Sequence, residues 1–271
     1  MFCCKFEPKC GKRKDFAFIV ILNYQFFKML KKNLVVTMLL LTTFAAIFVS
    51  FSPAQKEEDI YLTYTVDPKK QNVELFWKDD KGNILKSLGN VKTYVESKNK
   101  TLLFAMNAGM YTTDNAALGL FIQDGKTIRS INKRSAGGNF YMKPNGVFYI
   151  DNNNKATICK TEDFVNKGTV KYATQSGPML VIDGNIHPSF TRGSLNVNIR
   201  NGVGVLPDNQ LVFVMSKGFV NFYDFAAYFK KLGCKNALFL DGAVCRTYLP
   251  GKNWVQTGGD FGVIVGVTKR K

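Results

Sequence analysis

Histidine is almost missing from this chain: His187 is the only one in 271 residues. The cysteines show no metal-type spacing, so there is no motif for a zinc or iron–sulfur centre, and neither a metal nor an organic cofactor is expected. No low-complexity run, long linker or internal repeat is visible, which favours one folded unit over an array. Acidic residues are scarce, 20 Asp and Glu against 37 Lys and Arg, for a formal net charge of +17. The basic residues do not alternate with aromatics in a stripe, which argues against a nucleic-acid partner. Pairs such as Lys69-Lys70 and Lys230-Lys231 read first as solvated surface. Their functional reading is attraction to anionic substrates: phosphates, anionic glycans or a membrane surface.

What the chain does have is one long apolar run. Leu34 to Phe51 is relieved only by Thr37, Thr42, Thr43 and Ser50. Lys28, Lys31 and Lys32 precede it, and Ser52-Pro53-Ala54 leads into the polar segment Gln55 to Asp59. A basic patch, an apolar stretch and small residues before a polar start form a signal peptide cleaved after Ala54. Retained, the same run reaches the lower edge of a membrane-spanning length and would act as an anchor. Residues 1–28 read as an upstream extension or a cytosolic tail, residues 29–54 as signal peptide or anchor, and residues 55–271 as the folded domain. The expected location is therefore outside the cytoplasm, with membrane contact only if the apolar segment is kept. Residues 1–54 hold eight basic and two acidic side chains, so the rest keeps 29 and 18, a net charge of +11.

The region after Gln55 is rich in hairpin signals. Paired apolar segments flank Asp79 to Asn83, Asp124-Gly125, Asn152 to Asn154, Asp183 to Asn185 and Pro207 to Asn209. Such residues tolerate the left-handed backbone of tight antiparallel connections. In the first of these, Val73 to Trp77 is expected to pair with Ile84 to Leu88. Several strands are apolar throughout, as expected where both faces are covered. Two helices are predicted: Phe222 to Leu232, capped by Asn221 and ended by Gly233, and Val91 to Ser97, capped by Asn90. Strands, helices and hairpins mix without regular βαβ alternation, so the expected class is α+β, a mixed and largely antiparallel sheet with a few packed helices in a single domain. Of the three cysteines in this region, Cys234 and Cys245 lie close enough in sequence to pair, geometry permitting.

Four segments combine polar side chains with glycine at the ends of apolar strands: Met106 to Tyr111, Gln175 to Leu180, Asn198 to Gly204 and Leu240 to Cys245. Each by itself is accounted for by a turn or a surface ion pair. Together they offer a cation, a carboxylate, amide side chains and bare backbone amides, the makings of a site. These motifs carry a resemblance. Asn107-Ala108-Gly109-Met110-Tyr111, Lys143 to Phe148, Ala173 to Leu180, Arg200 to Val205 and Ala237 to Gly242 occur in order. The stretch from Ala105 to Val267 resembles the phosphodiester glycosidase family, and within it an exported bacterial branch.

The resemblance implies a mixed α+β catalytic domain that cleaves a sugar from the phosphate of a sugar phosphodiester. It implies catalytic roles for Asp241, Arg200 and Asn107: Arg200 on the phosphate, Asp241 on the sugar or the attacking water, Asn107 orienting either. Gly109, Met110, Ser176, Gly177 and Gly242 become substrate-binding candidates. His187 joins them as a hydrogen-bond donor or general acid, against the plainer reading of a half-exposed hairpin residue. The family's Gly-Gly-Gly-Ser after the aspartate is replaced here by Gly242-Ala243-Val244-Cys245. That change motivates a second expectation, a non-catalytic binder of anionic cell-envelope glycans. A third is a cysteine hydrolase built from Cys245 and His187. Asp224, considered with Asp241 as a metal ligand, reads better as a first-turn helix acid.

Overall fold

A computed structural model describes residues 24–38, 57–242 and 244–271. Two compact units divide the chain, Met1–Gln55 and Lys56–Lys271. In the first, residues 24–38 form a helix (α1) with every described residue exposed. Of the apolar run Leu34 to Phe51, only residues 34–38 are described; the cleavage point after Ala54 lies outside the described residues. Among the described residues, no helix is long and apolar enough to cross a membrane.

The second unit is α+β. A short helix α2 (Glu57–Ile60) leads into β1 (Tyr61–Val66) and β2 (Asn72–Phe76), followed by helix α3 (Leu88–Ser97) and β3 (Lys100–Asn107). Seven strands follow: β4 (Phe121–Gln123), β5 (Lys126–Arg129), β6 (Gly146–Asp151), β7 (Ala156–Lys160), β8 (Val170–Ser176), β9 (Met179–Ile182) and β10 (Asn185–Ile186). Then come β11 (Arg200–Val205), β12 (Leu211–Ser216), helix α4 (Phe222–Lys231), β13 (Asn236–Gly242), β14 (Thr247–Leu249), β15 (Trp254–Val255) and β16 (Ile264–Arg270). They form three sheets, ordered β1-β12-β11-β13-β9-β10, β15-β14-β3-β16-β2 and β5-β4-β8-β6-β7, with antiparallel pairing throughout.

The sheets share one core, to which strands of all three contribute buried apolar residues. In β12, Leu211, Phe213 and Met215 point into the central cluster while Val212 and Val214 pack on the other side of the sheet, the two-residue alternation of a strand. Phe213 ties the three sheets together: its ring centroid lies 5.1 Å from Phe104 of β3 and 6.2 Å from Phe148 of β6. Helix α4 covers the outer face of the six-stranded sheet through Phe225, Ala226 and Phe229, all fully buried. Each fully buried phenylalanine contributes about 1.5–3 kcal/mol over an exposed one. Leu88, Val91 and Val95 of α3 pack against Leu102, Ala105 and Ile264 of the second sheet.

The turns follow their chemistry. Asp124-Gly125 and Asp183-Gly184 both adopt positive φ, at 49° and 76° and at 49° and 80°, as tight hairpins require. Asn221 caps α4 by accepting the Asp224 amide at 2.9 Å, and Gly233 ends it at φ 88°. Two expectations are corrected. The segment Ile84 to Leu88 is no strand: only Ile84 bridges Lys78, and Leu88 already opens α3. The cap of α3 is Ser87, whose Oγ accepts the Asn90 amide at 3.1 Å, so Asn90 lies inside the helix and its side chain donates to the Leu85 carbonyl. Cys159, Cys234 and Cys245 are free thiols. Cys234 belongs to the cluster under α4 and Cys245 to the central core, so the two do not pair.

Candidate active site

Asp241 and Asn107 stand 134 positions apart in sequence and meet where the first two sheets converge. Asp241 sits at the end of β13 and Asn107 ends β3, each after a run of apolar residues. A β-bulge sets the last turn of β13. Asn201 of β11 pairs with Asp241, whereas the next residue, Gly202, pairs with Phe239, leaving Leu240 as the extra residue. Bulges re-aim side chains at strand ends, and this one turns the carboxylate into a polar cluster.

The cluster is closed and directional. Asn107 Nδ2 donates to Asp241 Oδ2 at 2.7 Å, and the Gly242 amide donates to Oδ1 at 2.7 Å. Asn107 Oδ1 accepts from Asn201 Nδ2 at 3.0 Å and from the Arg246 amide at 3.1 Å. Asn201 Nδ2 also reaches the Asn107 carbonyl, and Asn201 Oδ1 accepts the Asp241 amide at 2.8 Å. With two donors facing one side-chain atom of Asn107 and an acceptor facing the other, the orientation of its amide follows from its partners. Burial pushes the Asp241 carboxyl up to about 6, moderated by its bonds from Gly242 and Asn107. A carboxyl poised near neutrality and held by fixed donors has the form of a general base or an electrostatic catalyst.

A cavity of about 560 Å³ opens beside this cluster, its wall including Tyr111, Ile199, Val244, Cys245, Arg246 and Asp260. Three of these reach the carboxylate's surroundings. The Cys245 thiol donates to the Asp241 carbonyl at 3.2 Å, the Arg246 amide bonds Asn107, and the Tyr111 phenol is raised by burial and then by the charges of Asp241 and Asp260. Asp260 accepts from Asn115 Nδ2 and lies 3.5 Å from Lys86 Nζ.

The other candidates occupy different positions. Arg200 pairs across from Gly242 in the sheet, but its side chain is 1 % exposed and bonded to the chain's own backbone. Its Nε donates to the Val220 carbonyl at 2.9 Å and one terminal nitrogen to the Asn196 carbonyl at 2.9 Å, with the guanidinium 3.6 Å from the Phe222 ring centroid. Burial lowers it to about 10. Ser176 is buried and donates to the Leu240 carbonyl at 2.8 Å, tethering β8 to the residue before Asp241. A Cβ on Gly109 would stand 2.7 Å from Thr174 Oγ1, and one on Gly177 would stand 2.5 Å from Asn145 Cβ, so close chain packing accounts for both glycines. Gly242 is likewise crowded by the Phe239 ring, while Met110 packs against the cluster under α4.

His187 is 1 % exposed, not a half-exposed hairpin residue. Its Nδ1 accepts the Ser189 amide, which leaves the proton on Nε2 to be donated to the Lys143 carbonyl at 3.2 Å. Burial lowers its pKa and favours this neutral form. The hydrogen bonds of His187 and Cys245 go to separate partners. The thiol is raised well above its usual range by burial and by Asp241 and does not bond His187, so the cysteine-hydrolase expectation fails. Asp224 is bonded to its own helix cap. Among the described residues no three His, Cys, Asp or Glu side chains cluster for a metal ion.

Residues 100–261 match the model of a family described as phosphodiester glycosidase. The chain belongs to the phosphodiester glycosidase family. It is 36 % identical over 189 residues to the uncharacterized protein YigE of Escherichia coli (strain K12), covering 69 % of this chain and 74 % of that one. Its fold is shared with the catalytic domain of zebrafish N-acetylglucosamine-1-phosphodiester alpha-N-acetylglucosaminidase, solved auto-inhibited by its pro-peptide. That likeness has a TM-score of 0.56 at 16 % identity and covers 81 % of this chain and 85 % of the other. The matched region contains both Asn107 and Asp241. Within this family member, Asn201 and Arg246 bond the residues that hold the carboxylate, and Tyr111 and Asp260 line the cavity beside it, though sequence reasoning had not made them candidates. Asn201 and Tyr111 lay inside the quoted motifs; Arg246 and Asp260 carried no signal beyond being charged.

Proposed function

We propose that this protein is an exported hydrolase that cleaves a sugar from the phosphate of a sugar phosphodiester. The observation that carries the reading is Asp241, buried behind the cavity-wall residue Cys245, held by Asn107 and raised to about 6, in a chain of this family. In the reaction, water adds to the anomeric carbon as the bond from that carbon to the phosphate oxygen breaks. The phosphomonoester leaves as an anion and needs little protonation, since its second pKa is about 6. Asp241, mostly ionised at neutral pH, takes the proton from water or stabilises the positive charge that develops on the ring. Both its oxygens accept one hydrogen bond, which leaves lone pairs for that task. Asn107 is a positioning residue, fixing the carboxylate while Asn201 and the Arg246 amide fix Asn107.

Export is supported by the basic, apolar and small-residue sequence from Lys28 to Ala54. Recovery outside the cytoplasm of a chain beginning at Gln55 would establish it, and recovery of only the unprocessed chain in the cytoplasm would reject it. For the activity, full-length wild type and Asp241→Asn are incubated with nucleotide sugars and with lipid- or glycan-linked sugar phosphodiesters, and products are followed by mass spectrometry. Free sugar and new phosphomonoester from wild type alone support the reading. No turnover by either protein, with retained binding of anionic glycans, would replace it with a non-catalytic binder.

A further inference from the structure

Arg200 was the sequence's candidate for gripping phosphate, yet its Nε and one terminal nitrogen are bonded to backbone carbonyls and its guanidinium is stacked on Phe222. A different arginine faces the cavity. Arg246 is exposed and lines it, and among the described residues its side chain makes no hydrogen bond or ion pair. Its backbone is fixed: the amide donates to Asn107 Oδ1, and the next residue, Thr247, opens β14 and pairs with Met106 of β3. Gln256 Oε1 accepts the Thr247 amide at 2.9 Å, so a second lining residue of the cavity is tied to the same strand. The guanidinium lies along Gly258, where a Cβ would stand 3.7 Å from Cζ, so the backbone there packs against the charged group with room to spare. The acid that lines the cavity, Asp260, is already engaged by Asn115 and Lys86. The cavity therefore presents an uncommitted cation one hydrogen-bonded residue away from the candidate catalytic carboxylate.

We infer that Arg246 is the phosphate-binding residue of this cavity, holding the phosphodiester so that the sugar's anomeric carbon lies towards Asp241. The inference rests on the hydrolase reading above and deepens it by assigning the anion subsite. The planar guanidinium can accept a phosphate in two parallel hydrogen bonds, which fixes orientation as well as charge. A cation on the cavity wall and a carboxylate buried behind its neighbour Cys245 match a substrate whose phosphate is negative and whose sugar carbon becomes positive. Val244 and Cys245, which precede Arg246 in the chain, line the same cavity.

The test uses the full chain as wild type, Arg246→Gln and Lys252→Gln, the last an exposed basic residue off the cavity wall. Binding of inorganic phosphate and of phenyl phosphate is measured by titration calorimetry. Steady-state turnover is measured on a nucleotide sugar and on the neutral aryl glycoside of the same sugar. The expected result is phosphate binding by wild type and Lys252→Gln that weakens about tenfold or more in Arg246→Gln, the order set by one lost charge-assisted pair. KM for the nucleotide sugar should rise in Arg246→Gln by a larger factor than KM for the aryl glycoside, and neither should change in Lys252→Gln. Equal phosphate affinity in wild type and Arg246→Gln, or none in wild type, overturns the inference. Arginine-dependent phosphate binding by a wild type that cleaves no sugar phosphodiester upholds the anion site and rejects the hydrolase reading.

Discussion

The buried carboxylate makes a thermodynamic prediction that needs no substrate. Asp241 is raised from 3.8 to about 6, with burial as the largest cause. An acid whose folded pKa lies above its unfolded one binds more protons in the folded state between the two values, so stability falls as pH rises through that window. Below about pH 3.8 the penalty is absent; above about 6 it is complete. A shift of about two units at 1.36 kcal/mol each gives a penalty of about 3 kcal/mol at neutral pH. Asp241→Asn removes the titration but adds a conflict, because its amide must face either Asn107 Nδ2 or the Gly242 N–H, both donors. That conflict costs about 1–3 kcal/mol at every pH. The informative quantity is therefore the difference between the two proteins at two pH values. Denaturant unfolding at pH 4 and pH 7.5 should show the variant gaining about 2 kcal/mol relative to wild type on going to the higher pH. No such gain, or a gain in the opposite direction, would refute the claim that an ionised Asp241 is held against a desolvation penalty.

Three further outcomes are expected. Asn107→Ala removes the donor that lowers the Asp241 pKa, so the acid limb of the pH–rate profile should move up by about one unit, and an unmoved limb would show that Asn107 does not hold the charged form. Arg200→Ala leaves the Asn196 carbonyl without its donor, takes one of two donors from the Val220 carbonyl, which keeps the Asn198 amide, and empties the space beside Phe222; urea unfolding should report a loss of about 3 kcal/mol or more, and a loss under about 1 kcal/mol would show that this buried cation is not structural. Gly204→Ala would place a methyl 2.4 Å from Cys234 Sγ and 2.9 Å from the Phe229 ring, so its melting temperature should fall by several degrees while Gly258→Ala, with no contact under 3.7 Å, leaves it near wild type.

Local chemistry and periodicity already determined much of this protein in the sequence. The Asp-Gly and Asn turns, the Asn221 cap, the Gly233 stop and the apolar strands were readable because each depends on residues a few positions apart. The choice between Ser87 and Asn90 as the cap of α3 was not, since both side chains can cap and only the docking of Leu88 in the core decides where the helix begins. The motifs also named Asn107, Asp241 and Gly242, which the fold joins through direct hydrogen bonds. Tertiary structure alone decided what those residues and their neighbours do. A bulge in β13 and the convergence of two sheets bring Asp241 against Asn107, burial moves its carboxyl towards neutrality, and the same burial ties Arg200 to backbone carbonyls while Arg246 is left facing the cavity. Desolvation and partner choice depend on everything packed around a group, including segments more than a hundred residues away, and so they are properties of the folded chain rather than of any stretch of its sequence.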